Sequence, residues 1–230
     1  MQPRFVRFAG RLGLADAVTV SNAALGFLAA VAATVEPNLA ARLILLAAMA
    51  DGLDGVIARK VGGTPAGEYL DSLADVASFG VAPAILVASV VRGAWSLESE
   101  PLLFAAGIAC PALFVAMAVV RLGLYTAYDG DAESTEGVQT TLAATILAAG
   151  VLAGWFVGPA ALVGLTALLA ALMVTTVNYP DLHWQDALVM GVVQALAVLL
   201  TGFPGEVFAF GLLFVALAYL FLGPRFYWRK

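Results

Sequence analysis

Charge is scarce in this sequence. Only 12% of the 230 residues are Asp, Glu, Lys or Arg, whereas 62% are hydrophobic, and the mean hydropathy is +0.96. Because soluble globular domains carry about 25% charged residues, this composition argues against a soluble fold. Apolar runs such as LLFAAGIACPALFVAMAVV recur towards the C-terminus, and about 20 such residues cross a bilayer. The composition predicts an all-α, polytopic integral membrane protein, with residues 1–230 as a single membrane domain.

Cysteine and histidine are also nearly absent. Cys110 is the only cysteine and His183 the only histidine. One cysteine excludes an intrachain disulfide framework and a Cys-based zinc site. His183 stands beside Trp184 in a polar segment, which is more typical of an interfacial anchor than of a metal ligand or a catalytic base. Any catalytic chemistry therefore falls to other residue types.

Breaks at Pro, Gly and charged clusters divide the chain into predicted helices. About eight are expected, with six or seven as alternatives because the last two are short. The predicted bounds are 15–35, 39–60, 67–92, 100–127, 138–155, 159–177, 186–202 and 206–223.

Basic residues give the expected orientation of these helices. Eight spans place nine basic residues on the side of the termini and two, Arg42 and Arg92, on the other side. Because cytoplasmic loops are enriched in Lys and Arg, we expect both termini and the loop after the second helix to face the cytoplasm. The nine are Arg4, Arg7, Arg11, Arg59, Lys60, Arg121, Arg225, Arg229 and Lys230.

Four carboxylates stand out against this apolar background, in DGLDGVIARKVGGTPAGEYLDSLAD. Asp51 and Asp54 are three residues apart and Asp71 and Asp75 are four apart, so each pair shares one helix face. A glycine-rich break between the pairs lets two antiparallel helices bring them together. Facing carboxylates in a low-dielectric site cannot all stay ionised without cations. Oxygen ligands suit Mg²⁺ or Mn²⁺, and two such ions would clamp a pyrophosphate.

The residues around the carboxylates fit a phosphate ligand. Gly55 and Ala58 are small residues that leave space beside the carboxylates, and the Arg59 guanidinium offers a fork of donors to a phosphate oxygen. Gly67 begins the second acidic helix, where free N–H groups favour anions. The alternative is a set of structural ion pairs, but the four acids outnumber Arg59 and Lys60, the basic residues close to them in sequence. Ionisable residues inside a membrane are functional by default.

The segment resembles the signature of the CDP-alcohol phosphotransferases, D-x-x-D-G-x-x-A-R, a spacer of usually eight residues, then G-x-x-x-D-x-x-x-D. The spacer here, 60–66, holds seven residues. TVSNAALGFLA is similar to the family's first-helix pattern through Thr19, Asn22 and Gly26. DSLADVASFGVAPA resembles the continuation found in phosphatidylserine synthases. The eight matching signature residues are Asp51, Asp54, Gly55, Ala58, Arg59, Gly67, Asp71 and Asp75.

The resemblance implies a membrane enzyme that transfers the lipid phosphate of CDP-diacylglycerol or CDP-archaeol to the hydroxyl of L-serine and releases CMP. It implies that Asp51, Asp54, Asp71 and Asp75 hold two Mg²⁺ or Mn²⁺ ions and that Asp75 is also the catalytic base. Lys60 and Arg121 are candidates for binding the serine carboxylate. The residues expected to contact the CDP-lipid are Asn22, Gly55, Ala58, Arg59, Thr64 and Gly67.

Several alternatives stay open at this point. The same fold could use glycerol phosphate or an inositol phosphate, although a phosphorylated acceptor would want more basic residues near the site. A cation transporter is a remote alternative, because transporters often carry related broken helices in two halves and the acids here occupy one. The net charge of −5 and the scarcity of lysine fit a halophilic archaeon, whose lipid would be CDP-archaeol. A homodimer is expected from the resemblance, and no nucleic-acid partner is expected.

Overall fold

The computed structural model describes residues 10–129, 134–155, 158–180 and 182–227. Within these ranges the chain forms eight continuous helices, and the all-α polytopic prediction is confirmed. In two of them, α-helix passes into a π-helical segment. The helices are α1 (Leu14–Ala33), α2 (Pro37–Val61), α3 (Gly67–Asp75) continued through a π-helical segment (Val76–Val81) into α4 (Ala82–Ala94), α5 (Pro101–Leu124) with a π-helical end (Tyr125–Asp129), α6 (Thr140–Leu152), α7 (Pro159–Met173), α8 (Trp184–Leu199) and α9 (Phe203–Phe226).

The helix ends follow local sequence signals. Proline opens α2, α5 and α7 at Pro37, Pro101 and Pro159, where its missing N–H costs no hydrogen bond. The Glu36 side chain caps α2 by accepting hydrogen bonds from the backbone N–H groups of Asn38 and Leu39. Such local signals can be recognised in the sequence. The predicted helix ends therefore lie within four residues of the observed ends.

The lengths of the helices agree with a membrane protein. Among the described residues, four helices are long and apolar enough to cross a bilayer by length and composition: Leu14–Ala33, Gly67–Ala94, Pro101–Tyr128 and Phe203–Phe226. The helices α6, α7 and α8 are apolar but shorter. The expectation that the last two helices are both short is wrong for α9, which has 24 residues because it continues through Pro224 at its C-terminal end.

Helix α6 lies at the centre of the bundle. It packs against α2, α9 and the π-helical segment after α3, and its residues from Leu142 to Gly150 are all buried. A helix that is hydrophobic on every face belongs in such a central position. Helix α1 packs along α2 and α3, so it lies directly behind the two acidic helices.

One feature was absent from the sequence prediction. A short antiparallel pair of strands, β1 (Ser134–Glu136) and β2 (Asn178–Pro180), joins the segment before α6 to the segment after α7. Thr135 is paired with Tyr179. Three-residue strands carry too little alternation to be recognised in an apolar chain.

Candidate active site

The two acidic pairs meet at one end of α2 and α3. One carboxylate oxygen from each of Asp51, Asp54 and Asp71 can be chosen so that the three atoms lie within 4.8 Å of one another. Asp75 follows one turn after Asp71 and is buried, with 7% of its surface exposed. The structure thus brings together the two acidic pairs, as their spacing in the sequence predicted.

Helix α1 supplies hydrogen bonds to this acidic cluster. The Thr19 hydroxyl donates to Asp54 Oδ2 at 2.6 Å, and the Asn22 amide donates to Asp75 Oδ1 at 3.5 Å. Thr19 and Asn22 are three residues apart on a helix, so they share the face that is turned to α2 and α3. Thr19 therefore contacts α2, and Asn22 contacts α3.

A glycine lets α1 come this close. A Cβ at Gly26 would lie 2.5 Å from Ser78 Oγ and 2.7 Å from Ser78 Cα, far inside normal contact distance. The Ser78 hydroxyl in turn donates to the backbone carbonyl of Asn22 at 2.8 Å. The π-helical segment that carries Ser78 therefore packs directly on the backbone of α1, one turn beyond Asp75.

A cavity of about 540 Å³ opens over the carboxylates. A Cβ at Gly55 would stand 3.4 Å from Arg59 Nη1, so the guanidinium lies over this glycine. Of the residues expected to contact the CDP-lipid, those that line the cavity are Gly55, Ala58, Arg59, Thr64 and Gly67.

Two predicted site residues do not line the cavity. Asn22 is fully buried and contacts Asp75 from behind, which differs from the expected lipid contact. Lys60 is exposed at the C-terminal end of α2 and is not among the cavity-lining residues. By contrast, Arg121 is 7% exposed and lines the cavity, with its guanidinium carbon 5.7 Å from the centre of the Tyr125 ring.

The sequence prediction missed the part of the cavity that α3, the end of α5, the strand β1 and the start of α6 form. Ser72 on α3 shares a hydrogen bond of 2.5 Å with Thr126 in the π-helical end of α5. This bond ties the second acidic helix to α5. The start of α6 and the strand before it complete the wall with Thr135, Gln139, Thr140 and Thr141. No local motif marks these residues, because four separate segments bring them together.

The donor set fits a divalent metal ion. Carboxylate oxygens are the ligands that Mg²⁺ and Mn²⁺ prefer, and the oxygens of Asp51, Asp54 and Asp71 are close enough to share ions. The hydrogen bond from Thr19 leaves the other oxygen of Asp54 available as a ligand. Buried side chains that orient carboxylates in this way are typical of metal sites.

Comparison with known proteins agrees with this site. The family model for CDP-alcohol phosphatidyltransferase matches residues 12–203, which includes the acidic helices and α1. The archaetidylserine synthase of Methanothermobacter thermautotrophicus is 31% identical over 181 residues, covering 76% of this chain and 73% of that protein.

Two further relatives match shorter stretches. The CDP-diacylglycerol–serine O-phosphatidyltransferase of Methanocaldococcus jannaschii is 38% identical over 112 residues, covering 48% of this chain and 49% of that protein. The protein of the same name from Mycobacterium leprae is 51% identical over 53 residues, covering 23% of this chain and 18% of that protein. Given the extent of the family match, this chain belongs to the CDP-alcohol phosphatidyltransferase family.

Proposed function

We propose that this protein transfers the phosphatidyl or archaetidyl group of a CDP-activated lipid to the hydroxyl of L-serine and releases CMP. The observation that carries the proposal is the acidic cluster in a cavity that two arginines also line, Arg59 from α2 and Arg121 from α5. The names of the relatives supply the acceptor, because an archaetidylserine synthase and two serine O-phosphatidyltransferases are among them.

The four carboxylates are proposed to hold two divalent ions, Mg²⁺ or Mn²⁺. When bound, these ions neutralise the pyrophosphate and stabilise the charge on the attacking and leaving oxygens. Arg59 lies beside Gly55, where its planar fork of donors can bind a phosphate oxygen. Gly55 and Ala58 leave room for the nucleotide-bearing end of the lipid, and Gly67 and Thr64 line the same space.

Asp75 is proposed as the base. It accepts the proton of the serine hydroxyl, the serine oxygen forms a bond to the lipid-bearing phosphorus, and the bond from that phosphorus to the CMP oxygen breaks. CMP leaves with the electron pair of that bond. The Asn22 amide on Asp75 holds the carboxylate towards the cavity, which suits a group that must lie within hydrogen-bond reach of the proton it accepts.

Arg121 is proposed to bind the serine carboxylate. It is buried, lines the cavity and is restrained by the neighbouring Tyr125 ring. A guanidinium recognises a carboxylate through two parallel hydrogen bonds. Lys60, the other candidate from the sequence, is exposed at the end of α2, so Arg121 is the better placed of the two.

The topology belongs to the proposal as well. We propose a single membrane domain over residues 1–230, with both termini and the cavity facing the cytoplasm. The distribution of basic residues supports this, although Arg4, Arg7, Arg229 and Lys230 lie outside the described residues. A homodimer is proposed from the family resemblance alone, and the mass of the purified protein in detergent would test it.

An assay of CMP release tests the function. Purified protein receives a CDP-lipid, Mn²⁺ or Mg²⁺, and either L-serine, glycerol 3-phosphate, inositol phosphate or no acceptor. We expect release that depends on serine and on the metal, and an Asp75→Asn variant is the inactive control. Equal release with a phosphorylated acceptor would contradict the choice of serine. Running CDP-diacylglycerol beside CDP-archaeol identifies the lipid, and a strong preference for the ester lipid would contradict the archaeal-type assignment.

A further inference from the structure

A fifth carboxylate, Asp16, lies beside the cavity and outside the family signature. It sits in the first turn of α1, is 1% exposed and lines the cavity. Its Oδ2 atom accepts two hydrogen bonds, from the backbone N–H of Gly13 at 2.7 Å and from the hydroxyl of Thr64 at 2.8 Å. Thr64 is 48 residues away in sequence, so this bond joins α1 to the loop between the two acidic helices.

That loop has little else to hold it. Within the loop, 62–66, Thr64 is half-buried and the other four residues are exposed. A Cβ at Gly62 or Gly63 would meet no atom within 4 Å, so this part of the loop has no close packing. Gly62 also has a φ of +91°, a conformation that glycine adopts without steric cost.

The packing around Asp16 is close where it meets the second acidic helix. Its Oδ1 atom would stand 3.3 Å from a Cβ at Gly67, the first residue of α3, and Thr64 Cγ2 would stand 3.1 Å from a Cβ at Gly13. Asp16 thus contacts the last turn before α1, the loop and the start of α3 together. A buried carboxylate is costly unless it is hydrogen-bonded. The bond from Gly13 caps the start of α1, and the bond from Thr64 joins α1 to the loop.

We propose that Asp16 is a positioning residue that anchors the loop 62–66, so that Gly63 and Thr64 form a fixed wall of the cavity for the nucleotide-bearing end of the activated lipid. The ligand named here rests on the proposed function, whereas the anchoring does not. Ordering a flexible loop when a ligand binds costs conformational entropy. A loop that is already ordered before the ligand binds avoids this entropy cost. Loss of the anchor is therefore expected to lower the affinity for the ligand more than it lowers the turnover rate.

Amide hydrogen exchange of the substrate-free protein tests the anchor itself. The Gly67 N–H donates to the Thr64 carbonyl at 3.0 Å and reports on the closed loop. We expect Asp16→Ala to speed exchange at 61–67 by about tenfold, as local opening becomes easier. Asp16→Asn keeps one carbonyl oxygen for both donors and should restore slow exchange. Glu36→Ala, which removes a carboxylate from the start of α2, is the matched control and should leave this loop unchanged.

Kinetics test what the anchor does for the ligand. Asp16→Ala is expected to raise the KM for CDP-lipid about tenfold, equivalent to about 1.4 kcal/mol, with kcat and the KM for serine changed less than about threefold. Thr64→Val breaks the same bond from the loop side and should have the same effect. Because both changes remove one interaction, the double variant should be no worse than either single variant.

Three results would overturn the proposal. Unchanged loop exchange in both Asp16→Ala and Thr64→Val would show that the bond does not hold the loop. A KM for Asp16→Asn as high as that for Asp16→Ala, with slow exchange retained, would make Asp16 a direct ligand contact. Additive effects in the double variant would separate the two residues. If wild-type protein released no CMP with any acceptor, the proposed function would fail while the exchange result would still stand.

Discussion

The acidic cavity and the α8–α9 pair both contain buried polar side chains, but the partners of these side chains differ. At the cavity, four bonds run from side chain to side chain, alongside bonds to the backbone such as those of Ser78 and Asp16. At the α8–α9 pair, the buried and half-buried side chains bond to a backbone carbonyl of another element, and the side-chain pair of Tyr227 and Asp186 is exposed. The first set is Thr19–Asp54, Thr64–Asp16, Ser72–Thr126 and Asn22–Asp75. The second set is Arg42–Val198, Gln194–Leu45, Tyr219–Pro180 and Tyr179–Leu220.

The difference separates two tasks. A bond between two side chains fixes the direction of a functional group, and it depends on the chemistry of both residues. A bond to a backbone carbonyl satisfies a buried polar group and joins two elements, whatever residue carries the carbonyl. Substitutions at the cavity should therefore change kinetics or metal binding with little effect on stability. Substitutions at the α8–α9 pair should do the reverse.

The largest effect is expected at Asp75. Asp75→Asn keeps the size of the side chain but removes the proposed base and a metal ligand, so CMP release with serine should fall by about 10³-fold or more. Some binding of CDP-lipid should remain, and the unfolding temperature should change little. Asp186→Asn, an exposed acid at the start of α8, is the control and should keep activity. Near wild-type turnover by Asp75→Asn would remove this residue from the mechanism.

A second prediction concerns the bond from α1 to Asp54. Thr19→Val removes the hydroxyl that donates to Asp54 Oδ2 at almost constant shape. Loss of such an orienting partner weakens metal binding about 10- to 100-fold, and titration calorimetry of substrate-free protein with Mn²⁺ measures it.

The control for Thr19 lies two residues further along the same helix. Ser21 is exposed and donates to its own helix at the Ala17 carbonyl, so Ser21→Ala should bind Mn²⁺ as the wild type does. Thr19→Ser keeps the hydroxyl and should recover most of the affinity. Equal affinity in Thr19→Val and wild type would mean that the acidic cluster needs no support from α1.

The sequence predicted the parts of the molecule that depend on local signals. Apolar runs ended by proline, glycine and charge gave the helices, and the spacing of Asp51, Asp54, Asp71 and Asp75 gave two faces that meet. The same reasoning found Gly55, which directly follows Asp54, and Arg59, which lies about one turn after Gly55. These features need only the period of a helix.

The sequence did not predict contacts between segments that are far apart along the chain. Asp16 and Thr64 are 48 residues apart and Thr19 and Asp54 are 35 apart, so no local pattern connects them. The spacing of Asp16, Thr19 and Asn22 at three-residue intervals was a usable signal for one polar face on α1. The choice between Lys60 and Arg121 depended on helix rotation and burial, which sequence spacing does not fix.

A third, smaller effect is expected at Gln194 in α8. Its amide donates to the Leu45 carbonyl of α2 at 2.6 Å in a buried position. Gln194→Leu should lower the free energy of unfolding by about 1 kcal/mol, the usual range for hydrogen bonds between membrane helices, without changing KM per folded molecule. Val192→Ala, on the exposed face of the same helix, controls for changes in α8 itself. A kinetic change in Gln194→Leu with normal stability would contradict the division of tasks.

The smallest effect is expected at Tyr179, which has a partner in each of the two regions. Its hydroxyl donates to the Leu220 carbonyl of α9 at 3.1 Å, and burial raises the pKa of this phenol, so it stays a donor at neutral pH. Tyr179→Phe should lower stability by about 0.5 kcal/mol, the low end of the range for a hydrogen bond. Chemical unfolding measures this, and the ring keeps its contact with Tyr219. Yet Tyr179 pairs across the strands with Thr135, which lines the cavity. Unchanged kinetics in Tyr179→Phe would show that the strand pair isolates the cavity from α9. A raised KM for serine at normal stability would instead show that α9 helps to position the cavity wall.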